Sequence, residues 1–384
     1  MNKRKIRVQI IQPLIPQYRV PLFEKLIQNT ETFIKICASK SVPGINNLTS
    51  IDMEIKNLVL DFPCQSFLNN RFFWQSKLSL DKAMGPNDVL VVNGNLRFLS
   101  NYPLILEAKR KKVGLVWWEH GFSNKRYKLE NILNRIIVKL VDVRLLYSDN
   151  EVDEYKQLGC PVEKLFATNN AIDQEPVKKA ISAWTRSQLT TFKEKEKIKD
   201  KKILLFCGRR TDGVDLELVF TVLSKLNKNK NKYLFVIIGP DHQIPPLNNK
   251  AKELDISTNI RWLGPIYNQH NLAPWFLSSC CLVFPGTIGL SLLHAFSYGL
   301  PVILPKRIHG PEIVALCDGE NGLFYKDGCA DDLRNKIIAI AEQPVVQKTM
   351  SNKALQTIRE KYNMNDMVTN FLAAIKAASA TSQI

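Results

Sequence analysis

Pro285-Gly286-Thr287-Ile288-Gly289-Leu290-Ser291-Leu292-Leu293-His294-Ala295-Phe296-Ser297-Tyr298-Gly299-Leu300-Pro301-Val302-Ile303 reads as loop, helix, turn and strand. Gly286 and Gly289 flank Thr287-Ile288 just before a run of helix formers. Backbone N–H groups there can approach an anionic, hydroxyl-rich ligand with no Cβ in the way. Thr287, Ser291, His294 and Tyr298 follow at helical spacing and share one face. That face holds hydroxyls, an imidazole and a phenol but no charge, whereas a merely solvated face is usually filled with Lys, Glu and Arg. Leu290, Leu292, Leu293, Ala295 and Phe296 make both flanks apolar, so the helix is expected to be buried on most sides. Polar groups on such a helix need partners; a bound ligand is one candidate and a solvated face the other.

Outward from this stretch, apolar strands alternate with helical patterns. In the first half the expected elements are strand Ile6 to Gln12, helix Val20 to Gln28, strand Ile34 to Ala38, helix Phe72 to Ala83 and strand Val89 to Val92. A helix near Phe98 to Lys111 and strands Val113 to Trp118 and Val143 to Tyr147 follow. The rhythm resumes with strand Ile203 to Cys207, helix Leu216 to Leu226, strand Tyr233 to Ile238, helix Leu247 to Leu254 and strand Ile260 to Leu263. It continues through helix Leu272 to Ser278, strand Cys281 to Phe284, strand Val302 to Leu304 and helix Ala330 to Glu342. Repeated βαβ units imply an α/β protein with mostly parallel sheets, whose ligands sit beyond the carboxyl ends of the strands. A chain of 384 residues exceeds the size of one ordinary core, so two domains are the default. The boundary is read from the charge-dense run Lys193 to Lys202. The expected organisation is residues 1–175 as an amino-terminal Rossmann-like domain, 176–200 as a charged interdomain segment and 201–345 as a second Rossmann-like domain. Residues 346–384 complete it as a helical segment that packs back on the first domain.

Forty-five per cent apolar and 23% charged residues are ordinary for a globular protein and exclude wholesale disorder. No stretch approaches the roughly 18 to 20 apolar residues that span a bilayer. The amino terminus is basic, but Arg7, Gln9 and Gln12 interrupt any signal-peptide core, and the eight cysteines are scattered without metal-ligand spacing. A cytoplasmic protein is expected, with no metal. The net charge of +17 calls for an anionic partner. Basic clusters lack interleaved aromatics or a reading motif, so an anionic membrane surface is favoured over nucleic acid. Ser123 to Val141 pairs an apolar stripe with Lys125, Arg126, Lys128, Arg135 and Lys139. A helix packed on the core and one lying on a membrane both fit that pattern, the former more commonly.

Strand ends in the second half carry turn and cationic residues: Gly208-Arg209-Arg210, Gly239-Pro240-Asp241, Gly264-Pro265 and Pro285-Gly286. Two adjacent arginines at a strand terminus can clamp a diphosphate through charge-assisted bonds, and they should outweigh helix-end dipoles of about 0.3–1 kcal/mol each.

Gly208-Arg209, Gly239-Pro240, Pro285 to Ile303, Gly310-Pro311-Glu312-Ile313-Val314 and Gly319-Glu320-Asn321-Gly322-Leu323 occur in the order seen in family 4 glycosyltransferases, which the chain resembles. Tyr18 to Leu26 and Asn170-Ala171-Ile172-Asp173 extend the resemblance into the first half. It implies the GT-B fold, two doubly wound Rossmann-like domains facing each other across a cleft. It also implies a glycosyltransferase that is generally retaining and metal-independent, with a nucleoside-diphosphate sugar as co-substrate and no bound cofactor. The implied donor-binding residues are Arg209, Arg210, Gly239, Gly286, Thr287, Ile288, Gly289, Leu290, Ser291 and His294. The implied catalytic residues are His120 and Arg209, because Trp117-Trp118-Glu119-His120-Gly121-Phe122 ends a strand where similar enzymes place a histidine near the transferred sugar. Adjacent strand residues point to opposite faces, so only one of Glu119 and His120 is expected to face the cleft.

Three departures from the family pattern stand out. Its two glutamates seven residues apart align with Gly286 and His294; His294 can still reach a ribose hydroxyl, but Gly286 offers only its backbone N–H. Its lysine after Gly-Arg is replaced by Asp212-Gly213, with Arg210 as the substitute cation. Its Gly-Gly after the first strand is replaced by Pro13-Leu14-Ile15-Pro16-Gln17. The expected function is sugar transfer to a glycan or lipid-linked acceptor hydroxyl in bacterial surface polysaccharide synthesis, with peripheral contact at the inner membrane face. A nucleotide-sugar epimerase or hydrolase of the same fold, and a non-catalytic binding protein, are the alternatives.

Overall fold

A computed structural model of the chain describes residues 4–44, 57–119, 139–210, 213–228, 231–240 and 244–381. Contacts divide it into two compact units. Unit 1 comprises the chain up to Asn170 and again from Met364, and unit 2 is Ala171–Asn363.

Unit 1 is built on a parallel sheet of seven strands: β1 (Ile6–Gln12), β2 (Thr32–Ala38), β3 (Leu58–Val59), β6 (Val89–Asn93), β7 (Gly114–Glu119), β8 (Val143–Leu146) and β9 (Leu165–Ala167). Their spatial order is β3-β2-β1-β6-β7-β8-β9. Val8, Ile10, Ile11 and Val89 to Val92 are buried, as strands covered on both faces require. The helix Val20–Gln28 starts where expected because Pro21 suits its first turn, and it buries Val20, Leu22, Phe23 and Leu26. The helix Asp149–Gln157 opens with a capping box in which the Glu151 amide donates to Ser148 Oγ and the Ser148 amide to Glu151 Oε2, at 3.4 and 3.0 Å. The last helix, Met364–Thr381, packs against β7, β8 and β9, with the Phe371 ring edge-on to Trp118 at 5.0 Å.

One expected element is wrong. Phe72 to Ala83 is not a helix: β4 (Cys64–Phe67) and β5 (Phe72–Gln75) form an antiparallel hairpin. Three consecutive left-handed residues, Leu68, Asn69 and Asn70, turn the chain, and aromatic residues fit a pleated surface better than a helix. The helix expected over Ser123 to Val141 falls almost wholly outside the described residues.

Unit 2 holds a six-stranded parallel sheet: β10 (Lys202–Cys207), β11 (Tyr233–Ile238), β12 (Ile260–Gly264), β13 (Ser279–Val283), β14 (Val302–Pro305) and β15 (Gly322–Tyr325). The order is β12-β11-β10-β13-β14-β15, the doubly wound arrangement with its reversal between β10 and β13. The stretch expected to link the domains is instead two helices of unit 2, Glu175–Ser182 and Arg186–Lys195. Thr185 and Gln188 cap the second reciprocally. The buried ring of Trp275 receives Phe192 edge-on at 4.9 Å. Cys37 and Cys207 lie in strands, where burial pushes their thiols up to about 11 and about 12, so both are unreactive at neutral pH.

Candidate functional site

In a doubly wound sheet the crevice for a ligand opens where strand order reverses, here beyond the carboxyl ends of β10 and β13. The loops at those two ends are Gly208-Arg209-Arg210 and Pro285 to Leu290. Close backbone packing sets their shape. Gly208 has φ +157°, and a Cβ on it would lie 2.9 Å from the Phe284 ring and 3.2 Å from Ser291 Oγ. Gly239, after β11, has φ +154°, and a Cβ there would overlap the carbonyl oxygen of Gly208. Lateral bonds continue the stitching, with the Gly208 amide donating to Ile238 O and the Gly239 amide to Gly264 O, both at 3.0 Å. Gly239 is therefore a strut behind Gly208.

The amides of the Pro285 to Leu290 loop divide into two sets. Gly286 N–H donates to Phe284 O at 2.9 Å, and Ile288 N–H donates to His309 Nδ1 at 3.2 Å. Those two are turned inward, so the expectation of an unbroken row of ligand-ready amides from Gly286 to Leu290 is corrected. Among the described residues, the amides of Thr287, Gly289, Leu290 and Ser291 have no protein acceptor. Thr287 is exposed, with its hydroxyl donating to Ile308 O at 3.3 Å. The helix itself is shorter than expected, Ser291–Ser297, leaving Thr287 in the loop and Tyr298 at the carboxyl cap.

The polar face also resolves into two parts. His294 Nε2 is 3.0 Å from Gln269 Oε1, and the Tyr298 hydroxyl donates to the same oxygen at 2.8 Å. The imidazole lies 5.0 Å from the Phe276 ring, and burial lowers its pKa to about 4, so it is neutral at pH 7. His294 and Tyr298 thus fasten their helix to the helix Gln269–Ser278. The polar spacing reads as core fastening at this end, and only Ser291, beside Gly208, adjoins the strand-end loops.

Arg209 is exposed and, among the described residues, hydrogen-bonds or pairs with no other group, while Arg210 is half-buried. Asp212 lies outside the described residues. Three residues at the site escaped the sequence reading. Arg307, just after β14, donates from Nη1 to Gly213 O at 3.1 Å and pairs through Nη2 with Asp327, which raises its pKa further. His309 accepts from Ile288 and donates from Nε2 to Pro305 O at 2.8 Å, and burial lowers its pKa. Glu312 is only 6% exposed, and its Oε2 lies 3.5 Å from where a Gly289 Cβ would stand and 2.9 Å from that of Gly310. A carboxylate from later in the chain thus lies beneath Gly289. The available signals were Lys306-Arg307 at a strand end and Gly310-Pro311-Glu312 within the resemblance.

Gly286 explains why no side chain stands at that position. A Cβ there would lie 2.8 Å from Val214 Cγ2, 2.9 Å from Val214 Cα and 3.0 Å from Gly213 O. The Asp215 amide donates to Pro285 O at 2.8 Å, drawing the two loops together.

In unit 1, His120 and the segment around Lys125 fall outside the described residues, as does His242 of unit 2. Glu119 is turned into the interior. Its Oε1 accepts from the Tyr155 hydroxyl at 3.0 Å and lies 3.2 Å from Arg144 Nη1, both charged groups being almost wholly buried. The Arg144 guanidinium also lies 4.4 Å over the Tyr155 ring. Glu119 therefore belongs to a buried charge pair and has no access to a substrate. Arg19 donates from Nη1 to Asn170 Oδ1 at 3.0 Å, joining the two first-half segments that carry the resemblance. Its guanidinium lies 4.9 Å from the Trp118 ring centroid and 5.1 Å from that of Tyr147. His270, expected in a loop, is the second residue of the helix Gln269–Ser278. Among the described residues no cluster of three or more His, Cys, Asp or Glu could hold a metal ion, and no helix is long and apolar enough to cross a membrane.

Residues 187–357 match the family model described as glycosyl transferases group 1. Over 347 residues the chain is 22% identical to an uncharacterised glycosyltransferase of Methanocaldococcus jannaschii, covering 85% of this chain and 83% of that one. A solved glycosyltransferase of Rickettsia africae superposes with a TM-score of 0.71 at 14% identity, over 98% of this chain and 99% of that one. The Anabaena protein HepE, solved in complex with UDP, gives a TM-score of 0.67 at 11% identity, over 96% of this chain and 98% of that one.

Proposed function

We propose that the chain is a group 1 glycosyltransferase of the GT-B fold whose unit 2 binds a nucleoside-diphosphate sugar at the β10–β13 switch point for transfer to an acceptor hydroxyl. The observation that carries this reading is the convergence on that switch point of an exposed arginine, Arg209, with the acceptor-free amides of Gly289, Leu290 and Ser291. A departing diphosphate gains negative charge as the glycosidic bond breaks. Preorganised N–H donors and a guanidinium stabilise that charge at the moment it develops. The solved complex of HepE with UDP supports a uridine diphosphate donor.

Arg209 contacts the diphosphate, Arg210 lends charge behind it, and Thr287 and Ser291 offer hydroxyls to the donor. Gly239 acts indirectly, by holding Gly208. With Gly286 lacking a side chain, sugar recognition rests on backbone groups and on the carboxylate of Glu312 beneath the loop. Unit 1 is assigned the acceptor, and His120, which lies outside the described residues, is carried as a catalytic residue on the resemblance alone. In this mechanism configuration is retained, no carboxylate nucleophile takes part, and the leaving phosphate accepts the proton of the attacking hydroxyl. The arginines balance the diphosphate charge, so no metal is required. The acceptor is a glycan or lipid-linked saccharide of a surface polysaccharide.

The test is Arg209→Ala assayed with UDP-sugars. Loss of a charge-assisted contact to the leaving group should lower kcat/KM by about 100-fold with the fold intact. An unchanged rate would overturn the donor assignment. Product anomers read by NMR distinguish retention from inversion, and free sugar or an epimer formed from donor alone would favour the alternative chemistry.

A further inference from the structure

The hairpin of β4 and β5 takes no part in the donor chemistry, and its two faces are unlike. Gln65 pairs with Trp74 and Phe67 with Phe72, so Phe67, Phe72 and Trp74 share the outer face, while Phe73 and Gln75 lie on the inner one. The inner face is anchored. Phe73 stacks on Phe98 at 5.0 Å within a small buried cluster that includes Leu14 and Val42. The Gln75 amide nitrogen donates to Gln12 O at 3.0 Å and to Ser39 Oγ at 2.9 Å. On the outer face Phe67 is 47% and Trp74 39% exposed, and Leu68 at the turn is 71% exposed. An exposed apolar cluster on an element whose own core is already satisfied marks an interaction surface.

Charge identifies the partner. There is no Asp or Glu from Phe62 to Leu80 or from Val89 to Leu106, yet Arg71 and Arg97 are exposed there. Arg97 donates from Nε to Arg71 O at 2.7 Å and lies 4.9 Å over the Phe73 ring, so its charge is held at the turn beside Leu68. Aromatic and aliphatic side chains flanked by guanidinium groups on a hairpin that itself carries no carboxylate, with Asp61 at its base paired to Lys77, match a layer of anionic headgroups over acyl chains. A soluble polyanion would engage the arginines but leave Leu68 and Phe67 in water.

We propose that the hairpin docks the protein on an anionic lipid surface, with Phe67, Leu68 and Trp74 entering the interface and Arg71 and Arg97 meeting headgroup phosphates. Gln12 ends β1, and Phe98 lies just beyond the end of β6. The hairpin is thereby fastened to the carboxyl edge of the unit 1 sheet, where parallel sheets bind ligands. Docking there delivers a lipid-borne acceptor to that edge; this consequence rests on the transferase reading, whereas the docking does not.

The experiment is co-sedimentation of the full chain with vesicles of phosphatidylcholine alone or mixed with phosphatidylglycerol. The parent should bind the mixed vesicles, the combined Phe67→Ser, Leu68→Ser and Trp74→Ser variant at least tenfold more weakly. Arg71→Gln should bind about fivefold more weakly at low salt, the equivalent of about 1 kcal/mol per interfacial cation. The melting shift produced by UDP, a readout of unit 2, should be the same in all three proteins. Failure of the parent to bind, equal binding to both vesicle types, or undiminished binding by the triple variant overturns the proposal. Loss of activity on a water-soluble acceptor with vesicle binding intact would assign the face to the glycan instead, and likewise overturn it.

Discussion

The backbone N–H of Ile288 donates to Nδ1 of His309, 21 positions further along the chain. With Nδ1 accepting, the proton of the neutral ring sits on Nε2 and is donated to Pro305 O. The imidazole thereby holds the Pro285 to Leu290 loop against the end of β14.

Replacing His309 with Ala should therefore loosen the loop. KM for the donor is expected to rise about tenfold, with a smaller change in kcat and a melting temperature within a few degrees of the parent. An unchanged KM would contradict the role.

Gly286→Glu restores the family residue in name only. Its Cβ would press on the backbone of Val214 and Gly213, so the 213–215 loop must move. The expected result is a loss of about 1–3 kcal/mol in stability and lower activity than the parent. Increased turnover would show that the loop yields more easily than its packing indicates.

Burial places the His294 pKa at about 4, below the ordinary 6.5. The folded state therefore binds fewer protons than the unfolded chain between those values. Stability from this group is full above pH 6.5, falls as pH drops toward 4, and is flat below it. His309 contributes with the same sign. Chemical denaturation across this window should show a shallower pH slope in His294→Gln than in the parent; identical slopes would exclude the contribution.

Glu119→Gln removes the charge facing Arg144 in a dry interior. Breaking such a pair costs about 3–5 kcal/mol because one charge is left uncompensated. The enzyme should melt well below the parent, yet the fraction that remains folded should keep its kcat, as Glu119 is walled off from substrate by Tyr155 and Arg144. A kcat loss in folded protein would return Glu119 to the chemistry.

Much of the fold was legible because parallel strands are continuous apolar runs. Ile6–Gln12, Val20–Gln28 and Tyr233–Ile238 have the expected ends. The hairpin was missed because Phe72-Phe73-Trp74 satisfies either period over so short a span. The helix Arg186–Lys195 reads as a linker in sequence because its charge hides the Thr185–Gln188 capping box. At the site, strand-end glycines and arginines were readable because switch-point geometry needs them. Whether an amide faces a ligand or a neighbouring carbonyl depends on distant residues such as His309, which no local pattern reveals. For His294 too the local spacing does not reveal Gln269, the partner its Nε2 meets from another helix.

Unit 2 is one unbroken segment, but unit 1 is closed by the helix Met364–Thr381, which returns to cover β7. Phe371 lies against Trp118 there, and a Cβ on Gly114 would strike the backbone of Ala378. During synthesis the second half can finish folding while the first still lacks a wall. Its indole and the neighbouring strands stay uncovered until the final turns leave the ribosome. A stop codon near residue 363 would therefore do its damage far from the truncation in sequence, leaving unit 2 intact and unit 1 aggregation-prone.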